Sequence, residues 1–277
     1  MEYINVITPV HKFDDDVKNF LANAINSYDE AKKYLNEKTS ELDTKLTIVC
    51  PEFIKKDILT FISEIDYSNK CVVVVNDTGK TDFCSQVNFI AERVQEKYFS
   101  ILEFDDEYYK KWFWQFAQYQ LGNEDVSIFL PVDVVYDSQK PEYWQYGNEM
   151  PLATSFSNKL GYIDFDCLQN FSAFNITGGI IRTEDFKTAG MFKPSVKISF
   201  TYELFLRMTK KNYKIMVVPK LGYKHAFNVK GSLTKEYEAT IPEEDIDKWF
   251  DLAKRECSYK QDREKTISKK KKNKDLK

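Results

Sequence analysis

The stretch Tyr98-Phe99-Ser100-Ile101-Leu102-Glu103-Phe104-Asp105-Asp106-Glu107 decides the reading of this chain. Its first half is an apolar run, and its second half crowds carboxylates into the point where that run stops. A short apolar run bounded by a polar break is the pattern of a buried strand. Carboxylates this close repel one another and are costly unless something neutralises them. A hard divalent cation does so through oxygen ligands. Mg²⁺ or Mn²⁺ takes one or two protein carboxylates and leaves its other positions to phosphate oxygens and water. The other reading is a solvated acidic turn opening the next helix, where Asp and Glu favour the positive end of the dipole.

Upstream of this stretch the same motif repeats. Ile4 to Val10 reads as a buried strand ended by Pro9, followed by an amphipathic helix from Asp14 to Tyr34. Leu46 to Cys50 is a second strand, stopped by Pro51, with a helix over Lys55 to Ile65. Cys71 to Val75 is a third, closed by the turn signal Asn76-Asp77-Thr78-Gly79, with a helix over Ser85 to Lys97. Apolar strands alternating with amphipathic helices predict an α/β fold with a mainly parallel, Rossmann-like sheet covered on both faces. Ligands in such sheets bind beyond the carboxyl ends of the strands, where the polar residues of this sequence gather. Downstream, Ile128 to Tyr136 reads as a strand, and Pro141 to Ser172 as an aromatic, turn-rich excursion. Gly178-Gly179 precedes a short strand. A helix follows over Phe200 to Lys211, then a strand over Tyr213 to Val218 and a last helix over Glu243 to Cys257.

Composition narrows the class. The chain has 277 residues, 43% hydrophobic and 15% aromatic, enough to bury a sizeable core. The net charge of −3 is unevenly spread, because a basic tail over 259–277 sits on an acidic body. An acidic body argues against a specific nucleic-acid binder, which needs a basic face. The 5 cysteines show no CxxC spacing and fit reduced thiols, and 2 histidines argue against a zinc site. The N-terminus shows neither a basic nor a long apolar segment, and no apolar run reaches membrane-spanning length, so a soluble, cytoplasmic protein is expected.

The segment Asn88 to Glu107, NFIAERVQEKYFSILEFDDE, resembles the part of family 2 glycosyltransferases that ends in their DxD metal motif. Glu103 then stands for the first motif acid, Asp105 for the metal-binding aspartate and Asp106 for its neighbour. INVITPVHKF, from Ile4, is similar to the first strand and proline turn of that family, which puts Pro9, Val10 and His11 at the donor. The stretch from Thr183 to Pro219 resembles the acceptor-side segment with its Glu-Asp motif, and YKHAFNVKGSLT, from Tyr223, resembles the closing segment, whose histidine is His225. The resemblance implies a glycosyltransferase A-type, nucleotide-diphospho-sugar transferase fold. It spans one domain over 1–258, with a nucleotide-sugar half (1–107) and an acceptor half (108–258).

It implies an enzyme that moves a sugar from a nucleotide-sugar donor, a UDP-sugar, to a hydroxyl of a glycan, protein or other acceptor. Mn²⁺ or Mg²⁺ would be held by Asp105, Asp106 and His225, with Asn88, Glu103, Glu52 and Asp77 on the donor side and Gly178, Gly179 and Trp144 on the acceptor side. Two positions depart from the family. Val87 stands where an arginine is common. The Glu-Asp pair falls on Phe200-Thr201, and threonine is no base near neutral pH. Glu203, two residues on, is the nearest replacement in sequence, although on a helix it faces another side. The rival reading is a transferase-like binding or structural protein without turnover. A nucleotidyltransferase would need a glycine-rich phosphate loop, which Pro9-Val10-His11-Lys12 lacks.

Overall fold

The computed structural model describes residues 2–229, 232–242, 244–245 and 247–255. The basic stretch 259–277 and the end of the expected last helix lie outside them. The chain begins with β1 (Glu2–Pro9), α1 (Asp15–Lys38), β2 (Leu42–Cys50), α2 (Glu52–Glu64), β3 (Cys71–Val75), α3 (Phe83–Ala91) and β4 (Tyr98–Ile101). These are the expected alternations, and β3, β2, β1 and β4 lie side by side, all parallel. Parallel pairing buries both faces, which explains why Ile4, Val6, Ile7, Ile48, Val49, Phe99 and Ile101 are all fully buried.

Local chemistry fixes the helix starts. The Asp14 carboxylate accepts from Val17 N at 2.9 Å, with Asp15 and Asp16 in the first turn of α1. Asp82 caps α3 in the same way, through Ser85 N at 2.9 Å. The boundaries differ from the sequence reading for physical reasons. Helix α1 continues past Tyr34 because Leu35 extends its buried stripe of Val17, Leu21, Ala24, Tyr28 and Ala31. Helix α3 ends at Ala91, short of Lys97, because the chain must reverse into β4. Buried Val94 anchors that reversal.

The second half adds β5 (Glu107–Tyr108), α4 (Trp112–Gln120), β6 (Val126–Asp137), β7 (Lys140–Gly147) and a 3-10 turn at Met150–Leu152. It continues with β8 (Tyr162–Ile163), α5 (Phe165–Asn170), β9 (Ile180–Arg182), α6 (Thr183–Ala189), α7 (Phe200–Lys210), β10 (Lys214–Phe227) and α8 (Leu233–Thr240). Strand β9 bridges the two parallel blocks, running antiparallel to both β4 and β6, while β6 and β10 are parallel. The sheet is therefore largely parallel with antiparallel additions. The aromatic excursion expected over Pro141 to Ser172 is partly regular, since β7 folds back on β6 as an edge hairpin. Pro141 is tolerated there because an edge strand need not donate every amide. Among the described residues, no helix is long and apolar enough to cross a membrane.

Candidate functional site

The acidic stretch leaves β4 at its carboxyl end, beside the end of β1, and turns at once into β5. Strand β10 pairs with β5 across this turn, Tyr223 facing Tyr108 and Lys224 facing Glu107. That pairing brings the closing segment onto the acidic cluster. His225 Nδ1 lies 3.0 Å from Asp106 Oδ2, and Ala226 N donates to Asp106 Oδ1 at 2.8 Å. One ligand atom each from Glu103, Asp106 and His225 falls within 4.8 Å of the others.

The turn rests on a buried polar support. Glu103 N donates to the Tyr223 hydroxyl at 3.1 Å, and the Tyr223 ring packs on Tyr108 with centroids 5.3 Å apart. The Tyr108 hydroxyl meets Ser100 Oγ at 2.7 Å, and Ser100 Oγ donates to Gly179 O at 2.7 Å. The Trp112 indole N–H donates to Gly178 O at 2.8 Å. Each of these groups is taken out of water and satisfied, so the site's backbone is held by its floor rather than by solvent. A tyrosine or tryptophan beside a site is a signal of this kind only once β10 is known to cross over it.

The electrostatics follow from burial. Glu103 is pushed well above the usual carboxylate range by burial first and by Asp106 and Asp105 next. Asp105 is pushed up to about 7 by burial and then by the Asp106 charge. Burial alone would lower His225, but the charge and hydrogen bond of Asp106, with Glu103 and Asp133 behind it, raise it to about 10. A divalent cation in their midst would compensate the ionised carboxylates and require the His225 imidazole to give up its proton. An oxygen-rich set with one imidazole, in which Asp106 is buried and Glu103 and His225 are half-buried, fits Mg²⁺ or Mn²⁺.

A cleft opens in front of the cluster, lined by Pro9, His11, Glu103 and Asp105 from the sequence-read set. Phe83, Gln86, Phe104, Lys197, Phe200, Ser232, Leu233 and Tyr237 complete it. Lys197 sits over the Tyr237 ring at 5.1 Å. The free space is about 70 Å³, below the ~300 Å³ of a small-ligand site, and Leu233 and Tyr237 of α8 form part of its lining.

Other sequence-read residues stand elsewhere. Val10 is fully buried, and its amide bonds Val49 O at 2.9 Å, so it is core. Asn88 uses its whole amide on the chain after α6, donating to Phe192 O at 2.8 Å and accepting from Phe192 N at 3.1 Å. These bonds clamp α3 to that segment. Glu52 is exposed on the first turn of α2, along a separate open groove, and Asp77 is exposed in the turn after β3. The structure brings neither into the cleft.

Gly178 and Gly179 are packing positions and present no acceptor surface. A Cβ on Gly178 would lie 2.4 Å from the Tyr223 ring, and one on Gly179 2.8 Å from Leu130. Gly178 also has φ +72°, which a side chain would strain. Thr201 is buried in the first turn of α7, next to cleft-lining Phe200. Glu203 is buried and clasped by Arg207 at 2.9 and 3.0 Å and by Lys193 at 2.6 Å. Burial raises its carboxyl, but these two cations outweigh it and hold it below the usual range. That removes the proton affinity a general base needs. Arg207 also donates to Met191 O at 2.6 Å, so the pair ties α7 to the chain after α6.

No protein-family model and no curated protein matches the chain. Solved structures do. Residues 1–349 of S. aureus TarS superpose with a TM-score of 0.59 at 12% identity, covering 82% of this chain and 60% of that one. The same fragment in complex with UDP-GlcNAc gives 0.63 at 13% identity, covering 91% and 65%. Its complex with UDP gives 0.57 at 12% identity, covering 90% and 70%. The chain has a glycosyltransferase A-type fold. It is similar in this to TarS, and spans about 60% of the length of the first of these fragments.

Proposed function

We propose that this chain is a metal-dependent glycosyltransferase that moves a sugar from a nucleotide-sugar donor, a UDP-sugar, to an acceptor hydroxyl. The observation that carries the reading is the cluster of Glu103, Asp106 and His225 where β10 meets the carboxyl end of β4, with Glu103 and Asp105 lining a cleft in this fold. It is supported by the similarity to a structure that holds UDP-GlcNAc. Residues 1–107 form the donor half and 108–258 the acceptor half, and the protein acts in the cytoplasm.

Glu103, Asp106 and His225 would hold Mn²⁺ or Mg²⁺, with Asp105 next to them on the cleft wall. When bound, the ion neutralises the diphosphate leaving group. Asp106 is oriented by Ala226 N and orients His225 in turn, so one main-chain amide aligns both candidate ligands. His11 and Lys197 line the same cleft and are placed to contact donor phosphates. A donor needs more space than this cleft offers, so its lining must rearrange on binding.

The test is a thermal-shift titration of UDP and UDP-GlcNAc with and without Mn²⁺. A ligand that binds only the folded state raises its stability by RT ln(1 + [L]/Kd), about 2.7 kcal/mol at 100 Kd. A shift that needs both metal and nucleotide supports the reading. The absence of any shift across nucleotide sugars of all bases refutes it.

A specific observation favours a second reading, a transferase-like binding protein. Thr201 occupies the base position of the resemblance, and Glu203 is locked in ion pairs. Thr201→Asp separates the two readings. Transfer that appears only in that variant identifies a protein that binds donor without turnover.

A further inference from the structure

Phe53 on α2 is the most exposed ring among the described residues, but three other exposed rings stand together on one strand. Tyr143, Trp144 and Tyr146 are 62%, 56% and 45% exposed, all on β7. Cross-strand pairing decides which of them work together. Tyr136 on β6 faces Trp144, and Val134 faces Tyr146. Lys224 on β10 faces Val134, and Glu107 on β5 faces Lys224. Residues directly opposite or two apart share a face. Trp144, Tyr146, Tyr136, Lys224 and Glu107 therefore form one surface, and they line a groove of about 440 Å³, within the range of small-ligand sites.

Its chemistry is selective. Trp144 and Tyr146 brace each other edge to face at 5.2 Å, so two rings stand fixed and half in water. The floor beside them holds an ion pair, Lys224 Nζ to Glu107 Oε2 at 3.2 Å. Rigid aromatic faces next to a donor and an acceptor suit a ring that is apolar on its faces and covered in hydroxyls at its edge. A nucleic acid would want excess positive charge, and this pair is neutral. A protein interface would want about 800 Å² per partner with a dry apolar centre, and here a charged pair occupies the floor.

The groove also has a fixed relation to the candidate site. Glu107 opens β5 directly after Asp106, and Lys224 precedes His225 on β10, so the two surfaces use sequence neighbours, and along β10 such neighbours point to opposite faces.

We propose that this groove is a secondary carbohydrate-binding site, which stacks pyranose rings of an oligosaccharide on Trp144 and Tyr146 and bonds their hydroxyls through Glu107 and Lys224. It retains a glycan beside the acidic cluster without contacting it. The site stands independently of the donor reading, because none of its five residues belongs to the cleft.

The test is calorimetric titration of the full chain with cello-, chito- and malto-oligosaccharides of two to six units and an oligogalacturonate, in metal-free buffer. At least one series binds, and affinity grows with length. Trp144→Ala weakens it about tenfold, the equivalent of ~1.4 kcal/mol, while Trp144→Phe restores most of it. Melting temperature and the response to UDP with Mn²⁺ stay unchanged in both variants. No binding by any of these sugars overturns the proposal, as does equal affinity in Trp144→Ala. A chain that dimerises through the hairpin, and becomes monomeric in Trp144→Ala, also overturns it by assigning the rings to a second copy. Loss of the nucleotide response with oligosaccharide binding intact refutes the transferase reading alone.

Discussion

Replacing Asp105 with asparagine keeps the shape of the side chain and removes its charge, and the structure gives this change an unusual sign. The Asp105 carboxyl is raised from 3.8 to about 7 by burial and by Asp106. At ~1.36 kcal/mol per unit, ionising it in the folded chain costs up to about 4 kcal/mol, and relaxation of the site brings this to about 2–4 kcal/mol. Below pH 4 both folded and unfolded chains hold the proton, and the residue is neutral to stability. As pH rises from 4 to 7 the unfolded chain ionises first, so stability falls. Above pH 7 the full cost is present.

In EDTA the Asp105→Asn protein should therefore unfold at higher urea than the parent at pH 8, and the two curves should converge at pH 4. At ~2–4 °C per kcal/mol for a chain of this size, the pH 8 melting temperature should rise by about 4–16 °C. The same variant should lose the Mn²⁺-dependent response to UDP, a trade of binding for stability. Equal or lower stability at pH 8, or a gap that persists at pH 4, would refute the account of a charge-frustrated site.

Other substitutions test the assignments around it. Gly178→Ala drives a methyl into the Tyr223 ring in a left-handed backbone, and should cost about 2–4 kcal/mol in urea denaturation while weakening nucleotide binding through the displaced floor. Unchanged stability would return Gly178 to the surface. Asn88→Ala removes both bonds to Phe192 and should cost about 1–3 kcal/mol with donor affinity unaltered; a selective loss of affinity would reinstate it as a donor contact. Glu203→Gln strands Arg207 and should destabilise by about 3 kcal/mol at pH 7. Glu203 has a lowered folded pKa, so its contribution is present above the unfolded value near 4.3 and disappears as pH falls below it. The variant and parent should therefore converge in acid, and a gap that stays constant from pH 7 to pH 3 would show that the ion pairs contribute nothing.

The part of the fold that the sequence determined is the part whose signals are local. Apolar runs at Ile4, Leu46, Cys71 and Tyr98, each broken by proline, a turn or carboxylates, predict parallel strands with their polar ends at one edge, and β1 to β4 form that arrangement. The carboxylate cluster is legible for the same reason, since its repulsion is a property of ten consecutive residues. Partners distant in the chain were not. His225 joins Asp106 only because β10 pairs with β5, 119 residues apart. Glycines at 178 and 179 look like an open turn until Tyr223 and Leu130 are seen against them. Asn88 matches a donor motif, yet Phe192 takes its amide. Glu203 looks like a spare base, yet Lys193 and Arg207 hold its proton affinity down. The groove of Glu107, Tyr136, Trp144, Tyr146 and Lys224 draws on four strands and has no contiguous signal at all. A sequence states which groups are available, and only packing decides which of them are already spent on one another.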